Sequence, residues 1–127
     1  MSMCCENFRP SCCRAPIESS LRDLAGDLMK IGHRILMCYG SSLPDEIREA
    51  LAGNEGDFRL FEMSGAEPDP LEESVGVGAA ICRHERIDAL LAVGGDSVKE
   101  FAVRVADMFQ KQNSSGRGVE IVFVRLP

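Results

Sequence analysis

Positive charge is scarce in this sequence: 14 lysines and arginines face 20 aspartates and glutamates, a formal net charge of -6 over 127 residues. A chain that holds a polyphosphate backbone or an anionic membrane through its overall field needs the opposite balance, so nucleic acid and membrane are not expected as partners. Long apolar runs are missing as well. Stretches such as Ala89 to Val93 and Ile121 to Val124 fall far below the ~20 residues that a spanning helix requires. The first sixteen residues also lack the continuous apolar segment of a secretory signal. A cytoplasmic protein is the expectation, and one compact domain accounts for the length, with no room for a second.

Hydrophobic residues make up 45% of the chain and charged ones 27%. Those are ordinary globular values, enough for one core that buries roughly two-thirds of the unfolded surface. Six cysteines could suggest a disulfide framework, but Cys4, Cys5, Cys12 and Cys13 crowd the N-terminus while Cys38 and Cys82 fall inside apolar periodic segments. Reduced thiols are the better reading. Two adjacent pairs with a six-residue gap do not match metal-ligand spacing. Residues 1–16 therefore read as a Cys-rich, mobile segment without a site, and residues 17–127 as a single α/β domain.

Ile17, Leu21, Leu24, Leu28 and Ile31 recur at helical spacing before Gly32, predicting a first helix over 17–31. A buried first strand over Arg34–Tyr39 exits at Gly40, Ser41 and Ser42. Ser42 then reads as the cap of a short helix with Pro44 in its first turn and Leu43, Ile47 and Leu51 as its stripe. Phe58–Met63 is the second strand. Leu71, Val75, Gly78, Ala79 and Cys82 share one helical face, with Gly76 and Gly78 allowing close helix-to-sheet approach. Asp88–Val93 is the third strand and Val119–Val124 the fourth. Between them lies a helix with Val98, Phe101, Ala102, Val105 and Phe109 turned inward. Such alternation predicts right-handed crossovers onto an open parallel sheet of about four strands, order 2-1-3-4, with helices on both faces. The ligand crevice of such a sheet opens where the winding reverses, between the loops Tyr39 to Ser42 and Gly94 to Ser97.

Gly94 and Gly95 leave a buried strand and enter a helix, so their backbone N–H groups converge at the positive end of a helix dipole, a place for an anion. A Cβ there would block close approach and resist positive φ. The plainer reading is structural: Ser97 and Glu100 have the spacing of a capping box, or Asp96 is an N-cap worth ~1 kcal/mol. On spacing alone the cap ranks ahead of the phosphate site.

Three runs carry a family likeness: Gly65-Ala-Glu-Pro-Asp-Pro-Leu71, Glu73 through Arg83, and Asp88-Ala-Leu-Leu-Ala-Val-Gly-Gly-Asp-Ser-Val-Lys-Glu100. They resemble the iron-containing alcohol dehydrogenases. Ser20-Leu-Arg-Asp-Leu24, Ile31 to Met37 and Tyr39-Gly-Ser-Ser42 are similar to the butanol dehydrogenase and aldehyde reductase branch. The likeness spans about residues 19 to 127, and its most specific element is the turn G-G-G-S-x-x-D-x-x-K after a Pro-x-Pro turn. It implies a Rossmann-like domain binding NAD or NADP, with the pyrophosphate on Gly94, Gly95 and Ser97. The loop at Gly40, Ser41 and Ser42 would face the adenine ribose. Many members carry an aspartate there that favours NAD; this loop has no acid, so the resemblance implies that NADP is tolerated at least as well.

The motif also departs from the family. Asp96 replaces the third glycine, and its carboxylate would repel a diphosphate by an amount on the order of a few kcal/mol unless a divalent cation bridged the two. Glu100 stands for the motif aspartate and Val103 for its lysine. The family's Fe or Zn is held by an aspartate and three histidines of a second, helical domain. This chain has only His33 and His84 and stops at Arg125-Leu126-Pro127, so no metal is expected in it and catalysis by it alone is not expected.

Two alternatives stand beside this reading. Strand-Gly-Gly-Asp also resembles the G-G-D-G-[ST] turn of NAD kinases, diacylglycerol kinases and phosphofructokinases, which would make Asp96 a functional group binding ATP with magnesium. Ser97 then takes the place of a glycine. The other is a non-enzymatic assembly module: an apolar fourth strand at a sheet edge would invite a homodimer or a complementing chain.

Overall fold

The computed structural model describes residues 16–40, 42–52, 58–64, 72–112 and 118–126. Among them run β1 (Ile17–Ser19), α1 (Leu24–Ile31), β2 (Arg34–Tyr39), α2 (Asp45–Leu51), β3 (Arg59–Met63), α3 (Glu72–His84), β4 (Ala89–Gly94), α4 (Asp96–Gln112) and β5 (Glu120–Arg125). The five strands form one sheet in the order β1-β5-β4-β2-β3, and every pairing is parallel. The expected order of four strands is therefore present as β3-β2-β4-β5. β1 extends it on the far side of β5.

That fifth strand corrects the predicted 17–31 helix. Ile17 and Leu21 match the helical spacing but stay about two-fifths exposed, whereas Leu24 and Leu28 are fully buried. Only the second half of the segment has a core to face. The first half instead satisfies its backbone against β5, with Ile17 beside Val122 and Ser19 beside Val124. β5 is thus flanked on both sides, which removes the open apolar edge on which the assembly-module reading rested.

All six residues of β4 are buried, as expected of a central parallel strand covered on both faces. Leu90 and Ala92 point into a core with Val75, Ala79 and Cys82 of α3 and Phe101, Ala102 and Val105 of α4. Ala89, Leu91 and Val93 point the other way, toward Leu24, Leu28, Ile47 and Leu51 of α1 and α2. Each face thus buries one side of the strand's two-residue alternation. Cys38 and Cys82 are free, buried thiols; burial pushes Cys82 up to about 12 and Cys38 higher still, so neither is a nucleophile at neutral pH.

Two glycines are required by close approach. A Cβ on Gly78 would lie 2.8 Å from Cγ2 of Val105, so this glycine lets α3 approach α4, a helix-to-helix contact rather than the helix-to-sheet contact expected. A Cβ on Gly32 would collide with Cβ of Asp88, whose carboxylate accepts hydrogen bonds from the N–H groups of His33 (2.9 Å) and Arg34 (3.1 Å). Ser42 does not cap α2. The helix begins after Pro44, which occupies the cap position without a side-chain bond, because the residue before a proline is kept out of helical geometry. No helix among the described residues is long and apolar enough to cross a membrane.

Candidate functional site

From β2 the chain winds outward to β3, and from β4 it winds the other way to β5, so the direction reverses between the adjacent strands β2 and β4. Tyr39 of β2 lies beside Val93 of β4; Gly40 and Gly94, the next residues, carry the chain out of the sheet side by side. Ser41 lies outside the described residues. Gly94 takes φ 149°, a conformation that favours glycine. At Gly95 an added Cβ would meet nothing within 4 Å, so the space above this residue is open.

The Gly95 carbonyl accepts the first helical bond, from the N–H of Lys99 at 3.1 Å, which makes Gly95 the N-cap and Asp96 the first residue of α4. Both structural readings of the turn are thereby corrected. Asp96 sits one residue too late to cap, and Ser97 is already inside the helix and cannot open a capping box with Glu100. The first-turn N–H groups have no acceptor within the helix and form the positive end of a 17-residue helix that starts directly after Gly95. Val103, where the motif lysine was missing, packs half-buried against the core.

The Asp96 side chain finds a partner that reading the motif alone missed. Nη2 of Arg125 donates to Oδ1 of Asp96 at 2.6 Å, with the two side chains 52% and 81% exposed. The sheet register explains the encounter: Arg125 is paired with Gly94, and the N–H of Leu126 donates to the Gly94 carbonyl at 3.0 Å. The Arg125 guanidinium lies over the Phe123 ring, 5.1 Å from its centre, and Nζ of Lys99 stands 5.2 Å from the same centre. Lys99 also pairs with Glu18 at 3.2 Å. The hydrogen bond and charge of Arg125 hold the Asp96 carboxyl below its ordinary value, and Asp96 raises Arg125 in turn. The negative charge that Asp96 adds to the motif is therefore opposed by a cation from the neighbouring strand. One signal was available: Arg125 directly follows an apolar strand, which places it at the carboxyl end of the sheet.

Arg125 also borders an open cleft of about 500 Å³, together with Glu18, Ser19, Ser20, Pro44 and Leu126 among others. Arg125 thus joins the glycine turn to that cleft. The histidines lie elsewhere. His33 precedes β2 and His84 ends α3, which puts both at the amino ends of the strands, opposite the turn. Among the described residues no three His, Cys, Asp or Glu side chains converge as metal ligands.

A doubly wound parallel sheet with a glycine turn at its reversal point defines a Rossmann-like α/β domain. A family model of iron-containing alcohol dehydrogenases matches residues 17–124, and the chain belongs to that family. It is 37% identical over 89 residues to a probable NADH-dependent butanol dehydrogenase of Bacillus subtilis, covering 65% of this chain and 22% of the relative. It is 34% identical over 82 residues to NADH-dependent butanol dehydrogenase A of Clostridium acetobutylicum, covering 59% and 21%. The crystal structure of NADH-dependent butanol dehydrogenase A from Thermotoga maritima superposes with a TM-score of 0.65 at 19% identity, over 88% of this chain and 33% of that one. The chain spans about a fifth of the length of the curated relatives it matches. The kinase-type reading of Gly-Gly-Asp finds no support in these comparisons.

Proposed function

We propose that this chain is the dinucleotide-binding part of an NAD(P)-dependent alcohol or aldehyde oxidoreductase, acting in the cytoplasm as one unit over residues 17–127, and that it does not catalyse hydride transfer alone. The observation that carries this reading is the turn at the winding reversal: Gly94 at φ 149°, then Gly95 with open space where a side chain would stand. The N-terminus of α4 follows directly, and its free N–H groups suit a diphosphate. In this reading Gly95, Asp96 and Ser97 hold the diphosphate through their N–H groups. Gly40, leaving the neighbouring strand, faces the ribose, with Ser41 next to it in the chain. A bound NAD(P) supplies the hydride acceptor or donor. Everything this chain adds is binding and orientation, because neither histidine lies at this end of the sheet.

The relatives are named for NADH, whereas the loop at Gly40 to Ser42 carries no acid to turn away a 2′-phosphate. NADPH is therefore bound at least as tightly as NADH. Titration of the 15N-labelled chain with NADPH, NADH and Mg-ATP, followed by amide chemical shifts, tests both points. The expected result is saturable movement of the Gly94 to Ser97 signals with either dinucleotide. Absence of any shift there would overturn the reading; movement with Mg-ATP alone would replace it.

A further inference from the structure

We propose that Asp96 is a built-in competitor for the dinucleotide site: its carboxylate occupies the Arg125 guanidinium that a ligand phosphate would otherwise take, and the pair must open before the ligand can bind fully. This inference rests on the dinucleotide reading above and adds to it a means of setting affinity.

A guanidinium accepts a carboxylate and a phosphate in the same forked geometry, so one can stand in for the other. The position of Arg125 is set independently of Asp96. Its backbone lies beside Gly94 in the sheet, and its guanidinium rests over Phe123, a fully buried ring. Removing Asp96 would therefore leave the cation in place, next to the N–H groups of α4 and at the border of the 500 Å³ cleft. Asp96, by contrast, is anchored only by its place at the head of the helix, and its side chain is 81% exposed. An ion pair held in the open is worth little and opens readily. The same exposure lets an incoming phosphate displace the carboxylate without leaving a buried charge unpaired. Lys99, paired with Glu18 across the same ring, adds its charge to the field on Asp96, and Glu18 adds its own to that on Arg125, so this second pair is a neighbour common to all four variants below.

Dissociation constants for NADPH and for inorganic pyrophosphate, measured by calorimetry on the wild-type chain, Asp96→Asn, Arg125→Ala and the double variant, test the proposal. Opening an exposed pair and removing one carboxylate from beside a diphosphate should together tighten binding about tenfold in Asp96→Asn. In the Asp96→Asn background, adding Arg125→Ala should weaken it again by at least that factor, because the freed guanidinium is then a ligand. The same change in the wild-type background should matter less. Binding that is unchanged or weakened in Asp96→Asn, while the wild type still binds NADPH at the Gly94 turn, overturns the competitor role and leaves the dinucleotide reading intact. Failure of all four proteins to bind NADPH overturns both. Thermal melts of the four serve as the folding control and should agree within a few degrees.

Discussion

Two glycines lie two residues apart on α3, and the structure assigns them opposite sensitivities. Replacing Gly76 by Ala places a methyl where nothing lies within 4 Å. The substitution then only lowers the entropy of the unfolded chain and improves helix propensity, for a gain of about 0.5 to 1 kcal/mol. Replacing Gly78 by Ala makes the same chemical change with the same intrinsic gain, but its methyl falls 2.8 Å from Cγ2 and 3.3 Å from Cγ1 of Val105, with Sδ of Met63 at 3.6 Å. Carbon atoms in packed cores rest about 3.5 to 4.0 Å apart, so one helix must move by roughly 0.7 Å or more. Val105 is fully buried, and a β-branched side chain in a helix has essentially one rotamer to offer. Overpacking of this kind costs about 1 to 3 kcal/mol. Gly78→Ala should therefore be less stable than Gly76→Ala by about 1 to 3 kcal/mol, read as the difference in urea midpoints at constant m-value. In the double variant Gly78→Ala, Val105→Ala the clash has no partner, and the loss should fall at least about 1 kcal/mol short of the sum of the single losses. Equal stability of the two single alanine variants would refute the claimed contact between α3 and α4.

Other consequences can be checked at single residues. Asp88→Ala removes the acceptor for two N–H groups at the entry to β2 and should destabilise the fold by about 1 to 3 kcal/mol, with Asp88→Asn, which keeps one oxygen, losing less in the same denaturation assay. The Cys82 thiol, moved by burial from 9.0 to about 12, should alkylate at pH 8 at least about a thousandfold more slowly in the folded chain than in urea, measured by peptide mass spectrometry. Comparable rates would contradict its burial. The same displacement has a definite sign for stability: the protonated thiol is favoured in the folded state, so its contribution is complete below pH 9 and is lost as the pH rises through about 12. Asp96 has the opposite sign. Its carboxyl is held down by Arg125, so the pair persists above the ordinary aspartate range and dissolves only as the pH falls through the lowered value. In Arg125→Ala the 13C titration of that carboxyl should move back up.

The layered sheet could be read from the sequence because its signals are local. Ile35–Tyr39 is apolar throughout and is followed by glycine and serine, and the inward set from Val98 to Phe109 repeats at helical spacing. Ile17 to Ser19 could not be read this way, since three residues carry too little periodicity to oppose the helical pattern that continues into Leu24. What decides their conformation is the free edge of β5, more than a hundred residues away. The turn at Gly94 was visible as glycines after a strand, but its electrostatics were not. The motif presents Asp96 as an unopposed negative charge, whereas the register of β4 against β5 brings Arg125 to it. That pairing is a property of the sheet and of no contiguous stretch. Gly78 was picked out for close approach for the right reason, with the wrong neighbour, because the crossing of α3 and α4 depends on how both lie on the sheet.

The central claim is that the open space above Gly95 receives a dinucleotide, and Gly95→Val tests it most directly. A Cβ at Gly95 meets no atom within 4 Å apart from its chain neighbours, so the melting temperature should change by no more than a few degrees. NADPH binding, measured by calorimetry against the wild-type chain, should weaken at least tenfold as the valine fills the space meant for the diphosphate. Unchanged affinity in a folded Gly95→Val protein would contradict the account.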